Sequence, residues 1–243
     1  MVRRFLLQGL LLAVFLCPVR AQVQYVSTAD DIALGGMVLK ELAVAAEKED
    51  GPELMVRAAL RLLDQKNVAG TQEGRDGVVD RYESRLHYVT EWVAQGERTG
   101  LFRDLTAELG GVPDPRPINY MTQHSGSYAP LAGESGYAKD NRARMAAVEE
   151  RVSAIPRTYI PKSQISYVES QIRSGDILCF TTAIEGLDVS HVVIAYRAKP
   201  SDRLGFIHAS INEKKVIVDP RTLEAALSAS RNITGIKVLR VEP

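Results

Sequence analysis

GLDVSHVVIAYRAKPSDRLGFIHAS, residues 186–210, holds two apolar, β-branched runs around a polar turn, and each run carries one of the chain's four histidines. Such a pattern predicts two antiparallel strands joined as a hairpin. A hairpin centred between Lys199 and Pro200 sets His191 opposite His208, because each lies equally far from that centre. Directly opposed residues have Cβ atoms about 5 Å apart, so the two imidazoles would share one face of the sheet and meet. A slip of one residue would send one ring to the other side. Held through a ring nitrogen, one imidazole would have its tautomer and orientation set by the other, which is what a general base beside a nucleophile requires. In that arrangement His191 is the base and His208 its orienter. The alternative is two unrelated histidines at strand ends, each satisfied by backbone or water.

Similar runs lie on both sides: GDILCFTTA at 175–183, KKVIVDP at 214–220 and TGIKVLRVE at 234–242. Together they predict a C-terminal meander of about five antiparallel strands. Upstream the apolar period is helical, over Asp30–Lys48 and Pro52–Leu63. It is helical again in SRLHYVTEWVAQ (84–95), where Leu86, Val89, Trp92 and Val93 share a face and Gly96 marks the end. Further helices are expected over Arg142–Ala154 and Ser163–Ile172. Residues 67–82 read as a glycine-rich charged loop, and Gly110–Tyr137 as a long polar loop whose tyrosines, Met121 and His124 favour a functional role. Helices followed by strands give one α+β domain over 22–243, with the helices on one face of the sheet.

Lys+Arg and Asp+Glu are equal at 30 each, and no basic block is present. This balance argues against nucleic acid or an anionic membrane surface as a partner. The opening MVRRFLLQGLLLAVFLCPVRA has two arginines, a short apolar run and small residues before a cut after Ala21, the pattern of a secretory signal peptide over 1–21. The run is too short to span a bilayer, so no stable membrane insertion is expected and the mature protein is expected to be periplasmic or secreted. Cys17 follows Leu16, not the small residue of a lipoprotein signal, and leaves with the segment. Only Cys179 would then remain, which excludes an internal disulfide. No Cys-x-x-Cys or His-Glu-x-x-His spacing points to a metal.

SGDILCFTT, GLDVSHVVIAYR and GFIHAS resemble the C-terminal half of the NlpC-type cysteine peptidases and amidases, papain-like enzymes of the bacterial cell wall, with Asp176, His191 and His208 at matching places. RLHYVTEW, INYMTQHSGSY, TYIP and TGIKVLR further resemble the N-acetylmuramoyl-L-alanine amidase-like family within that superfamily, from about Ala69 to the C-terminus. The resemblance implies a papain-like α+β fold and hydrolysis of the amide between a muramyl lactyl group and L-alanine in peptidoglycan fragments, without metal or cofactor. A thiolate would attack the carbonyl, backbone N–H groups would hold the oxyanion, and His191 would form the thiolate and protonate the leaving amine. It also marks Arg85, His87, Tyr88, Thr122, His124 and Tyr128 as substrate-binding candidates. Asp188 and Ser190 would shape the pocket or orient the base, and Asp176 belongs to a turn.

The pattern breaks at the nucleophile. In relatives a cysteine opens a helix, whose dipole and the neighbouring histidine lower the thiol pKa. Here Gly74 joins Arg75 directly and that helix is absent. Cys179 lies in a strand and reads as a small buried apolar side chain. The expectation is an inactive or impaired amidase, with a non-catalytic muropeptide binder or recruitment of Cys179 as alternatives. Loss of a central helix also predicts uncovered apolar sheet surface, each large side chain being worth about 1.5–3 kcal/mol of burial.

Overall fold

The computed structural model describes residues 73–74, 77–78, 82–84, 86–98, 100, 102–210 and 215–241. The expected signal segment with Cys17, the helices at 30–48 and 52–63, and Arg85 lie outside the described residues.

All five expected runs are strands: β6 (Ile177–Thr182), β7 (Val189–Tyr196), β8 (Gly205–Ser210), β9 (Lys215–Val218) and β10 (Ile233–Arg240). β6 is buried along its whole length, because apolar clusters cover both of its faces. The sheet is larger than expected, with eight strands among the described residues. Short strands β3 (Arg103–Asp104), β4 (Val112–Pro113) and β5 (Thr158–Pro161) extend it. The order is β4-β5-β10-β6-β7-β8-β9, with β3 paired to β10, and every pairing is antiparallel. The chain therefore meanders only from β6 to β9. Helix α5 (Leu223–Ala229), capped by the Thr222 hydroxyl accepting from Ala225 N at 3.2 Å, precedes the return of β10 to the far side of β6.

Helices occupy both faces, which corrects the one-face expectation. On one, α4 (Ile165–Val168) and α5 bury Ile165, Val168, Leu223 and Leu227 against Leu178, Phe180, Val193, Phe206 and Val238. On the other, α1 (Val89–Arg98) buries Val89 and Val93 against Ile177, Cys179, Val192 and Leu239. Gly96 does not end α1. The helix runs on to Arg98, and the missing Cβ at position 96 makes room for the Phe102 ring, since a Cβ there would lie 2.1 Å from Phe102 Cζ.

The long loop is partly ordered into helix α2 (Tyr120–Gln123) and a 3₁₀ turn at Ser125–Ser127. Helix α3 spans Gly136–Ser153 and starts before the expected Arg142, since Ser135 accepts from Ala138 N at 3.1 Å as an N-cap. The helix expected over 163–172 is α4 flanked by 3₁₀ turns at Lys162–Gln164 and Glu169–Gln171. Within the loop expected over 67–82, most of which lies outside the described residues, β1 (Glu73–Gly74) pairs antiparallel with β2 (Gly77–Val78). The expected apolar exposure is not seen: the large apolar side chains exposed among the described residues are Tyr137, Tyr167 and Val218, and β6 and β7 keep theirs covered.

Candidate functional site

β7 begins with a bulge. Phe180 pairs with His191 but Thr181 pairs with Val189, leaving Ser190 as the extra residue. Such an insertion re-aims the chain locally. It turns Val189 into the cluster around Cys179, while His191 stays on the Phe180 side. The Ser190 hydroxyl donates to Phe180 O at 3.3 Å, so it braces the bulge.

The β7–β8 register pairs Ile194 with Ile207, Ala195 with Phe206 and Tyr196 with Gly205. The hairpin centre thus falls between Pro200 and Ser201, one residue later than expected. Moving the centre by one shifts every pair by two, an even number, so both imidazoles keep the expected face. They are diagonal neighbours, not opposed ones. Long side chains bridge such diagonals: His191 Nε2 lies 2.9 Å from His208 Nδ1, with the ring planes at 88°. Phe180 and Phe206, themselves edge to face, pack beside the two rings.

The diagonal continues one strand further. His208 pairs with Ile217 of β9, and Asp219, two residues on, brings Oδ2 to 3.4 Å from His208 Nε2. Arg221 holds that carboxylate through Nε at 2.9 Å, Nη2 at 2.7 Å and its backbone N at 2.9 Å. Sequence reading missed Asp219. Its signal was parity with Ile217 at the end of KKVIVDP, but parity identifies a neighbour only once the β8–β9 register is known.

Burial lowers the His191 pKa to about 4, with the His208 charge adding to the effect. His208 is lowered as well: burial outweighs the pull of Asp219, and Arg221 acts with burial. Arg221 holds the Asp219 carboxyl below its ordinary range. Both rings are therefore neutral at neutral pH. A histidine whose pKa is depressed on folding contributes stability that is present above its unfolded value and is lost as pH falls through the folded value. Stability is accordingly expected to drop between pH 6.5 and about pH 4. The His191 share is on the order of 3 kcal/mol. Urea unfolding at stepped pH checks this, and His191→Gln should flatten the slope in that window; an unchanged slope assigns it to other groups.

Cys179 lies elsewhere. On β6 it points to the face opposite Phe180, is 0% exposed, and packs with Val89, Val93, Val192 and Leu239. Burial raises its pKa well above the thiol range, and Lys237 offsets this only in part. A sheet thus separates the thiol from the imidazoles, which removes Cys179 as their nucleophile.

The other candidates take structural contacts. Asp188 is buried; its Oδ2 accepts from Thr90 N at 2.7 Å and Thr90 Oγ1 at 2.8 Å, and its Oδ1 from Val189 N at 2.8 Å. It ties the start of α1 to β7 and does not orient His191. Burial raises its pKa against these hydrogen bonds. Glu149 of α3 gathers two further candidates. Its Oε1 accepts from Tyr88 OH at 2.6 Å, Met121 N at 3.0 Å and Thr122 N at 3.1 Å, and its Oε2 accepts from the Thr122 hydroxyl. Tyr128 packs against this Tyr88–Met121 cluster, and its buried hydroxyl has no hydrogen-bond partner among the described residues. His124 donates from Nδ1 to Tyr120 O at 2.9 Å and stacks on that ring. His87 donates from Nε2 to Tyr82 O at 2.7 Å. Asp176 is a turn residue, as expected, accepting from Arg173 N at 2.8 Å and clamped by Arg240. The structure thus joins His191, His208 and Asp219 in one group, and Tyr88, Thr122 and Tyr128 around Glu149 in another.

The chain matches the AmiA-like, N-acetylmuramoyl-L-alanine amidase-like family over residues 65–233. No curated protein is matched. Among solved structures, an N-acetylmuramoyl-L-alanine amidase from Bacteroides uniformis is similar, at 33% identity and a TM-score of 0.63 over 83% of this chain and 81% of that one. A Bacteroides fragilis protein provisionally named a xylanase is similar to the same degree, at 33% identity and a TM-score of 0.63 over 85% of each chain. On the family match, which covers most of its length, this chain belongs to the N-acetylmuramoyl-L-alanine amidase-like family.

Proposed function

We propose that this protein is exported through residues 1–21 and binds muramyl-L-alanine-containing peptidoglycan fragments at an NlpC-type, papain-like site that keeps the base pair and lacks the nucleophile. His191 is the base and His208 its orienter. The observation that carries the reading is the placement of sulfur: of the two cysteines, Cys17 falls within the export segment and Cys179 is sealed beneath the opposite face of the sheet. An imidazole pair with no thiol in reach among the described residues has none there to activate, and removing the nucleophile from a catalytic unit costs about 10⁴-fold or more in rate. His87, Thr122, His124 and Tyr128 form the binding wall, His124 and Tyr128 through an aromatic surface, and the buried Tyr88 braces it from beneath through Glu149. This is the mix of apolar surface and fixed donors that a glycan-peptide pocket uses.

Calorimetry with a muramyl-L-alanyl peptide should show saturable binding, and chromatography of the same mixture should show no release of the L-alanine-bearing peptide. Release at the rate of active family members would overturn the loss of catalysis, and absence of any heat would overturn the binding role. Cys179→Ala separates the remaining case, since it should change neither readout.

A further inference from the structure

We infer that Asp219 is a positioning residue that sets the hydrogen pattern of both histidines from the end of their diagonal. Two neutral imidazoles in contact through His191 Nε2 and His208 Nδ1, 2.9 Å apart, can share a hydrogen in two ways. In the first, His208 carries hydrogen on Nε2, facing the carboxylate, and its bare Nδ1 accepts from His191 Nε2–H. His191 Nδ1 is then the basic nitrogen. In the second, every hydrogen moves to the other nitrogen of its ring: His208 Nδ1–H donates to His191 Nε2, His191 Nδ1 is protonated, and the His208 Nε2 lone pair faces the Asp219 anion.

A carboxylate only accepts, so it opposes the second pattern. The distance of 3.4 Å from Oδ2 to His208 Nε2 is long for a hydrogen bond, and the preference acts mainly through charge on the N–H dipole. It is directional because Asp219 cannot turn away: Arg221 grips both oxygens, and Asp219 N donates to Phe206 O at 3.0 Å. The residue is buried, which limits screening by water. Its position is no accident of a flexible loop, since Asp219 extends the β9 register opposite Phe206, two residues before His208 on the same face.

The inference rests on His191 being the base of the site, and its test reads hydrogens rather than binding or turnover. Nitrogen-15 NMR of histidine-labelled full-length protein near neutral pH distinguishes Nδ1–H from Nε2–H for each ring. Both rings are expected as Nε2–H, in excess by about tenfold or more. In Asp219→Asn, Arg221 keeps the amide oxygen and the NH₂ group is offered to His208 Nε2, so both rings should switch to Nδ1–H. A change of structure alone would not reverse two tautomers together. Wild-type rings with Nδ1–H, or with near-equal populations, overturn the inference. So does an Asp219→Asn protein with a native spectrum and unaltered tautomers. Should that variant fail to fold, the wild-type tautomers decide by themselves. Hydrolysis or lack of ligand binding would count against the proposed function and leave this result standing.

Discussion

Glu149→Ala is expected to destabilise the protein by about 3–5 kcal/mol, because each buried donor left without an acceptor costs about 1–3 kcal/mol and entering water recovers part of the loss. Glu149 is 2% exposed and takes hydrogen bonds from Tyr88 OH, Met121 N, Thr122 N and the Thr122 hydroxyl. Those donors join the segment before α1 and helix α2 to α3, so one side chain holds three elements of the second group in register. Glu149→Gln keeps the acceptor oxygen that serves Tyr88, Met121 and Thr122 N, and should lose well under half as much. Guanidinium unfolding of the two variants checks the order. An alanine variant within about 1 kcal/mol of wild type would mean that the segment is held by apolar packing around Leu131, Met145 and Val148 instead.

Gly235→Ala is expected to cost about 3 kcal/mol or more and to loosen β5 before the rest of the sheet. Gly235 lies in β10 between Pro161 of β5 and Thr181 of β6. A Cβ there would lie 2.0 Å from the Ile160 carbonyl oxygen and 2.8 Å from its carbon. Backbone in a paired strand cannot yield as a side-chain tip can, so relief requires β5 to move off the sheet. Overpacking by one methyl usually costs about 1–3 kcal/mol, and contact with backbone sets this site at the top of that range. Gly136→Ala is the control. Nothing lies within 4 Å of a Cβ at 136, and the residue sits in the first turn of α3, so the change should be neutral or stabilising by about 0.5 kcal/mol. Hydrogen exchange at Ile160 and in β10 separates local loosening from global loss, and equal behaviour of the two variants would show that the close approach is not what glycine serves.

Much of this was legible in the chain because strand alternation is a local property. The five C-terminal runs became β6 to β10, and α1 and α3 formed near their expected places. The errors were of another kind. Gly96 looked like a helix end, since glycine often terminates one, yet Phe102 from the next segment needed the room. Asp188 looked like a partner for His191, three residues before it, yet its carboxylate is taken by Thr90 of α1 and by Val189 N, a contact that only the packing of α1 on the sheet could reveal. Thr122 and Tyr88 lie 34 positions apart, and nothing near either one announced Glu149 as the acceptor of both.

The amino-acid order by itself placed His191 and His208 at matching positions in two alternating strands. Side chains alternate with a period of two, so the shared face survives a whole-residue move of the hairpin centre, as found here, and would not have survived a slip of one residue in the pairing. Only the folded sheet decided which partners they meet. The β6–β7 pairing put Cys179 on the other side, and the β8–β9 register brought Asp219 to the end of the diagonal. Contacts across strands depend on pairing between segments distant in sequence, whose register is selected by burial of whole faces and not by the residues that finally touch.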